Sequence, residues 1–181
     1  TDDSTFATVF SLPYIICLKE FDVALELIDR ATRRKISTLA YGHDAKATPL
    51  VYQGMIHRSR GHYAEASESF RQARNVIEHR LAQFPFSPTI RSMHGVILAA
   101  LGEFDFAIGE LNTAVSAYPT NREFAFDFAR LYALKGDKQE MLSWLRKAIE
   151  LGKNEYPIIR NDIFFEPFAA DSEFISLLDR K

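Results

Sequence analysis

One short motif recurs along this chain, and it restricts the possible folds more than any other feature. The motif is Gly-x-aromatic-x-x-Ala-x-x-x-(Phe/Leu)-x-x-Ala, and its third copy is weaker than the first two. Its members are Gly61, Tyr63, Ala66, Phe70 and Ala73, then Gly102, Phe104, Ala107, Leu111 and Ala114, then Gly136, Lys138, Met141, Leu145 and Ala148. Self-similarity at a fixed period of about 20 to 50 residues is typical of stacked repeats. The chain is therefore predicted to be an all-α superhelix.

The residue types of the motif fit a turn between two antiparallel helices. A glycine at the turn allows a positive φ without strain from a Cβ atom. The alanines are small where two helices cross closely, and Phe70, Leu111 and Leu145 fill the remaining space. Because one helix pair cannot bury both of its faces, neighbouring pairs must stack on one another.

A degenerate fourth copy precedes these three. The segment 18–31 matches 101–114 at several positions in register, with Lys19 where the other copies have glycine. We therefore expect a single domain of about four antiparallel helix pairs and a C-terminal cap. The expected bounds are 5–41 for the degenerate repeat, 47–84 and 88–119 for the two clear repeats, 121–152 for the third repeat and 153–181 for the cap.

Two of the second helices are expected to be long. One helical pattern continues to Phe84 and stops before Pro85, which indicates a helix of roughly 22 residues. A similar extension in the first repeat passes Leu39 and ends at Gly42. The stretch 42–49 has the composition of a loop.

The motif resembles the second half of the tetratricopeptide repeat, whose standard length equals the 34 residues between Gly102 and Gly136. The resemblance implies that the first helix of each repeat lines a concave groove. It implies a non-enzymatic scaffold that binds a protein or peptide partner, as an extended segment or a helix. By the family's positions the groove residues are Val51, Tyr52, Met55, Arg58, Ser92, Met93, Val96, Phe126, Asp127 and Arg130.

This lining is mixed, apolar with a few charges, and suits a segment with apolar anchors. One subfamily uses Lys and Asn at fixed positions to bind the C-terminal carboxylate of chaperones. The corresponding positions here include Met55, Glu123 and Asp127, so that partner is not expected. The alternative for the groove is that the chain's own N-terminal helix or cap closes it.

The C-terminal segment resembles the closing segment of many bacterial tetratricopeptide proteins, with Asp-x-x-Phe at Asp162 and again at Asp171. We expect Phe164, Phe165, Phe168 and Phe174 to pack on the helix at 138–151 as a structural cap. The resemblance favours a bacterial regulatory protein. Three alternatives stay open. They are a regulatory domain excerpted from a larger signalling or transcription-regulator protein, a self-association module that forms a homodimer, and an enzyme, which would need a clustered site that the sequence does not show.

Composition favours no other class of function. The net charge is −2, and the compact basic cluster of Arg30, Arg33, Arg34 and Lys35 lies where positive side chains complement a helix dipole, so no nucleic-acid partner is expected. No apolar run of about 18 residues is present, so no membrane span is expected. The one cysteine, Cys17, forms no internal disulfide and fits the cytoplasm.

Catalysis, metal and cofactor binding also lack a sequence signature. The histidines are His43, His57, His62, His79 and His94, and none belongs to a zinc motif such as His-Glu-x-x-His. No phosphate-binding glycine loop or nucleophile elbow is present. We therefore expect no enzyme activity, no metal and no cofactor.

Overall fold

The structure is a computed structural model, and it describes residues 11–33, 39–40, 43–44 and 47–179. Helix α1 comprises residues 11–17. The following elements are α2 (Phe21–Arg33), β1 (Leu39–Ala40), β2 (His43–Asp44), α3 (Ala47–Ser59), α4 (Tyr63–Gln83), α5 (Pro88–Ala100), α6 (Phe104–Ala117), α7 (Arg122–Lys135), α8 (Lys138–Glu150), α9 (Tyr156–Arg160), a 3₁₀ helix (Ile163–Phe168) and α10 (Ser172–Leu178).

Helices α1 to α8 form four consecutive pairs, which the last two helices and the 3₁₀ helix follow. The expected all-α superhelix of about four helix pairs with a helical C-terminal cap is confirmed. Helix α4 has 21 residues, close to the length expected from its pattern. Within the described residues, no helix is both long and apolar enough to cross a membrane.

The four pairs share one turn geometry. The turn residues Gly61, Gly102 and Gly136 have φ of 77°, 84° and 78°, and Lys19 has φ of 59°. In each turn this residue donates its backbone N–H to the carbonyl three residues earlier, and the next residue donates to the carbonyl five residues earlier. These two hydrogen bonds satisfy the last carbonyl groups of the first helix of each pair. Lys19 therefore occupies the position that glycine occupies in the other repeats.

The predicted extension of the second helix in the first repeat is wrong. Helix α2 ends at Arg33, and Leu39–Ala40 pairs antiparallel with His43–Asp44 as a two-stranded ladder. A residue in a ladder cannot also continue a helix, because its backbone hydrogen bonds go to another strand. The loop expected over 42–49 is also shorter, since α3 begins at Ala47 and Pro49 lies in its first turn, where proline is tolerated. Gly42 lies outside the described residues, and so do residues 5–10 of the predicted degenerate repeat.

Close helix contact within a pair depends on two glycines outside the motif. A Cβ atom on Gly54 would lie 2.3 Å from the Phe70 ring, and one on Gly95 would lie 2.8 Å from Leu111 Cγ. The motif's large residues therefore pack against the bare backbone of the preceding helix. In the third repeat the same position, seven residues before the turn glycine, holds the fully buried Ala129.

The cap divides its aromatic side chains between two parts of the core. Phe165 and Phe174 pack with the residues of α7 and α8, as expected, and Phe168 is partly buried beside them. Phe164 does not join them, so its predicted packing on α8 is wrong. It lies instead in the cluster formed by the N-terminal helices, α3 and α4, because the 3₁₀ helix crosses from α7 to α3.

Candidate binding groove

A cavity of about 350 Å³, here called the groove cavity, opens on the inner surface formed by α3, α5 and α7. Its lining comprises Thr48, Val51, Tyr52, Thr89, Ser92, Met93, Val96, Asn121, Glu123, Phe124, Asp127, Arg130 and Phe164. Seven of the ten residues expected to line the groove are among these, so the helical register of the repeats brings them together. The remaining lining residues come from the starts of the three helices and from the cap.

Three of the expected residues lie outside this lining. Met55 is buried in the core, and Arg58 is exposed near the end of α3. Phe126 is buried beneath other side chains: its ring centroid lies 5.6 Å from that of Phe165, in an edge-to-face contact. The position of Phe126 depends on the cap folding back over α7, which no pattern within the repeat indicates.

Charged and polar side chains form a continuous network at the base of the groove cavity. Ser92 donates a hydrogen bond to Asp127 at 2.7 Å, and Arg130 Nη1 donates to the same carboxylate at 3.3 Å. Arg130 also donates to Asp162 Oδ2 from Nη2 at 2.7 Å and from Nε at 3.2 Å. The network therefore joins α5, α7 and the cap through a single guanidinium group.

Burial and charge act in opposite directions on these groups. Burial alone would lower the pKa of Arg130, but the carboxylates of Asp162 and Asp127 raise it well above its ordinary value. Burial raises the pKa of Asp127 despite its charged neighbour. Burial also raises the pKa of Tyr52 to about 12. At neutral pH Arg130 is charged, and Tyr52 is a neutral phenol beside it at the cavity wall.

A second pair of charges lies at the mouth of the groove cavity. Lys153 Nζ contacts the Glu123 carboxylate at 2.9 Å and lies 4.9 Å from the Phe126 ring centroid. Burial opposes ionisation of Glu123, but the hydrogen bond and charge of Lys153 lower the pKa of Glu123 overall. Glu123 is therefore charged at neutral pH, and the mouth has charges of both signs.

The cap closes one side of the groove, as one of the sequence alternatives allowed. Phe164 is 3 % exposed, and its ring centroid lies 4.9 Å from the Arg130 guanidinium carbon. Helix α1 also reaches the cap: Cys17 Sγ lies 3.6 Å from the carbonyl oxygen of Ile158. What stays open is the part of the inner surface between α3, α5, α7 and Phe164.

The convex side carries another cavity of about 350 Å³, which is lined by charged pairs between α4, α5 and α6. Arg91 bonds Glu110 at 2.7 Å, and Arg74 bonds Glu103 at 2.8 Å. These ion pairs tie neighbouring helices together. They give the convex cavity no net charge of one sign that would favour a charged ligand.

Side chains that could serve chemistry are dispersed. Among the residues that the structure describes, no group of three or more His, Cys, Asp or Glu residues could hold a metal ion. His57 and His62 lie near each other, with ring centroids 6.1 Å apart, and burial lowers the pKa of His57. Burial raises the pKa of the Cys17 thiol to about 11, which disfavours the nucleophilic thiolate. In the basic cluster Arg30 pairs with Glu26, whereas Arg34 and Lys35 lie outside the described residues.

A family comparison agrees with the repeat formed by α7 and α8. Residues 123–154, which span α7 and α8, match the family described as Tetratricopeptide repeat. No curated protein matches the sequence. Two solved structures, titled MamA AMB-1 and MamA MSR-1, are each 15 % identical over 98 % of this chain. The matches cover 91 % and 94 % of the two MamA chains, with TM-scores of 0.39 and 0.40. This likeness is too distant to carry an argument about this chain.

Proposed function

From the premise that this chain is a tetratricopeptide-repeat protein, we propose that it is a non-catalytic interaction module that binds a partner protein segment on its inner surface. The observation that carries the proposal is the groove cavity, which α3, α5, α7 and the cap enclose. Its outline is formed by secondary structure, so little ordering is required when a partner binds. A pre-formed surface of this kind lowers the entropic cost of association.

The groove cavity, at about 350 Å³, lies at the lower end of the size range of pockets for small molecules. A whole peptide or helix is larger than such a ligand. We therefore propose that the groove cavity receives one or two side chains from an extended segment, or from a helix that lies across the mouth.

The lining defines the chemistry of those side chains. Val51, Met93, Val96 and Phe124 provide an apolar wall, whereas Asp127 and Arg130 provide a charged base. An apolar or aromatic side chain would gain most by replacing water at the wall. Backbone or polar groups of the partner would meet the base. This combination favours a protein segment over a nucleic acid or a membrane surface.

Filling the cavity tests the proposal without disturbing the charged network. Met93→Trp places a larger side chain in the groove cavity, and Thr113→Trp places the same side chain in the convex cavity as a matched control. Proteins retained from a lysate of the source cell by the wild type should be retained by the Thr113 variant and lost by the Met93 variant. Equal retention by both folded variants would show that binding does not use the groove.

A second candidate function is self-association, and exposed aromatic side chains favour it. Phe86 is 89 % exposed in the turn between α4 and α5, and Phe106 is 72 % exposed on α6. Pairing two copies through such side chains would form a homodimer. Sedimentation over a range of concentrations should then show a dimer that a Phe86→Ser/Phe106→Ser double variant loses. A concentration-independent monomer would exclude this candidate.

The cellular setting proposed for either candidate is the cytoplasm of a bacterium, in a regulatory complex. The cytoplasmic assignment rests on the single cysteine, and the bacterial one on the resemblance of the closing segment. Localisation of a fluorescent fusion in the source cell tests the first, and a fusion found outside the cytoplasm would contradict it.

A further inference from the structure

Four residues of the cap, Asp162 to Phe165, lie against the inner surface in the way that a bound peptide would. They belong to no repeat, and they follow the last repeat after a short connection at 151–155 and helix α9. The 3₁₀ helix, which contains three of the four residues, contacts helices from two different repeats, α3 and α7. The inner surface therefore already holds one short segment whose recognition can be analysed residue by residue.

The charge of Asp162 is the first element of this recognition. Its side chain is 3 % exposed and accepts two hydrogen bonds from Arg130, which is 17 % exposed. Charge-assisted bonds to arginine are about twice as strong as neutral ones, and the forked guanidinium selects carboxylates. Removing one partner of such a buried pair leaves the other uncompensated. Without Asp162, Arg130 keeps only the longer contact with Asp127 at 3.3 Å, so we expect a segment that replaces Asp162 to supply an acidic group to Arg130.

The ring of Phe164 is the second element. The Arg130 guanidinium lies between two rings, 4.5 Å from the Phe126 centroid and 4.9 Å from the Phe164 centroid. Phe126 belongs to α7 and stays in place, whereas Phe164 belongs to the cap. The Phe164 N–H donates to Asp162 Oδ1 at 3.0 Å, which holds the acidic group and the aromatic ring at a fixed separation. The pattern that Arg130 recognises is therefore acidic-x-aromatic.

The occupied part of the inner surface and the open part are continuous. Phe164 belongs to the cap segment and Arg130 contacts that segment, and both residues line the groove cavity. A partner side chain that enters the cavity consequently reaches the two groups that hold the cap in place. Because Ile163, Phe164 and Phe165 are buried, the exchange also requires these three side chains to leave the core.

We propose that the partner segment carries an acidic residue followed two positions later by an aromatic residue, and that it binds by displacing Asp162–Phe165 from Arg130. This proposal rests on the proposed function and names the chemistry of its ligand. The resident segment is tethered, so its effective concentration at Arg130 is high, on the order of millimolar or above. The cap therefore weakens the apparent affinity of the groove, and loosening the cap should raise it.

The test uses the full chain and a fluorescein-labelled peptide with the sequence of residues 161–168. Asp162→Asn removes the charge of the resident segment but keeps an acceptor for the Phe164 N–H. Phe164→Ala removes its ring, so the two variants loosen the cap in independent ways. Asp171→Asn is the matched control, because Asp171 caps α10 in the same way but lies outside the groove. All variants are first compared with the wild type for helicity and size in solution.

Fluorescence anisotropy should show peptide binding to the Asp162 and Phe164 variants at least about tenfold tighter than to the wild type, with the Asp171 variant like the wild type. A peptide with Asn in place of its Asp should lose about tenfold or more in affinity for the loosened variants. Equal binding of the two peptides, equal binding to loosened and wild-type chains, or no binding to folded variants would each overturn the proposal. Failure of the proposed function would give a different result. In that case the Met93→Trp variant would still retain the cellular partners, while the peptide would still bind in an acid-dependent way.

Discussion

Two glycines within helices should respond in opposite directions to the same substitution. Gly109 is exposed on α6, and a Cβ atom there would meet no other heavy atom within 4 Å. Gly109→Ala should stabilise the protein by about 0.5–1 kcal/mol, because glycine loses more backbone entropy than alanine in a helix. Gly95 lies on α5, where a Cβ atom would be 2.8 Å from Leu111 Cγ and 3.1 Å from the Ala107 carbonyl oxygen.

Gly95→Ala gains the same helix propensity but must displace a branched carbon and a backbone oxygen of α6. Overpacking of this kind costs about 1–3 kcal/mol. We therefore expect a net destabilisation of about 1 kcal/mol, and a difference between the two variants of about 1–3 kcal/mol. Because both substitutions add the same methyl group to a helix interior, their difference isolates the close approach of α5 and α6.

Urea unfolding followed by circular dichroism measures both variants against the wild type. With a dependence of about 2 kcal/mol per molar urea, the midpoint of Gly95→Ala should fall by about 0.5 M, and that of Gly109→Ala should rise by about 0.25–0.5 M. The slope should not change in either variant. If Gly95→Ala were as stable as Gly109→Ala, the helix contact that shapes the inner surface would be looser than the geometry indicates.

Three further predictions concern other parts of the chain. Lys19→Gly should stabilise the protein by about 0.5–1 kcal/mol in the same urea assay, because Lys19 has a positive φ of 59°. The control Lys135→Gly, within helix α7, should destabilise the protein. Cys17 should react with iodoacetamide at pH 8 about tenfold more slowly in the native chain than in denaturant, because a pKa of about 11 reduces the thiolate fraction about 100-fold and the greater nucleophilicity of that thiolate offsets part of the reduction. Equal rates would contradict the burial of the thiol. Glu123→Gln should destabilise the protein more at pH 7 than at pH 3, because the folded pKa of Glu123 is lowered, so that its contribution is present above the unfolded pKa and is lost as the pH falls through the folded pKa. A difference in stability that did not change with pH would exclude this linkage.

The turns and the pairing of helices could be predicted from the sequence because both depend on local patterns. A positive φ requires glycine or a strained substitute, so Gly61 and Gly102 indicate the turns directly, and Lys19 is identified by the motif around it. The register of each first helix then places Tyr52 and Met93 on the inner surface.

The parts of the site that could not be predicted depend on contacts between distant segments. Phe126 is covered by Phe165, and Arg130 is held by Asp162, 32 residues later in the chain. No periodicity within a repeat indicates where the cap returns. Gly54 and Gly95 had a local signal that the motif did not include, namely a small residue seven positions before each turn glycine. The strand at Leu39–Ala40 stands where a helix was predicted, because tertiary context overrides a short helical pattern.

The closed side of the groove also determines how tight a complex this inner surface can form. One or two apolar side chains buried in the groove cavity contribute about 1.5–3 kcal/mol each, or about 3–6 kcal/mol in all. Association costs about 4–15 kcal/mol in lost translational and rotational freedom, so the cavity alone cannot hold a partner firmly. The remaining free energy must come from groups that the cap now occupies or from the surface around the mouth. Arg130 is the strongest available group, because its charge is buried and its pairing with Asp162 can be exchanged for pairing with another carboxylate. A partner that engages only the apolar wall should therefore bind weakly, and one that also replaces Asp162 should bind in proportion to how readily the cap is released.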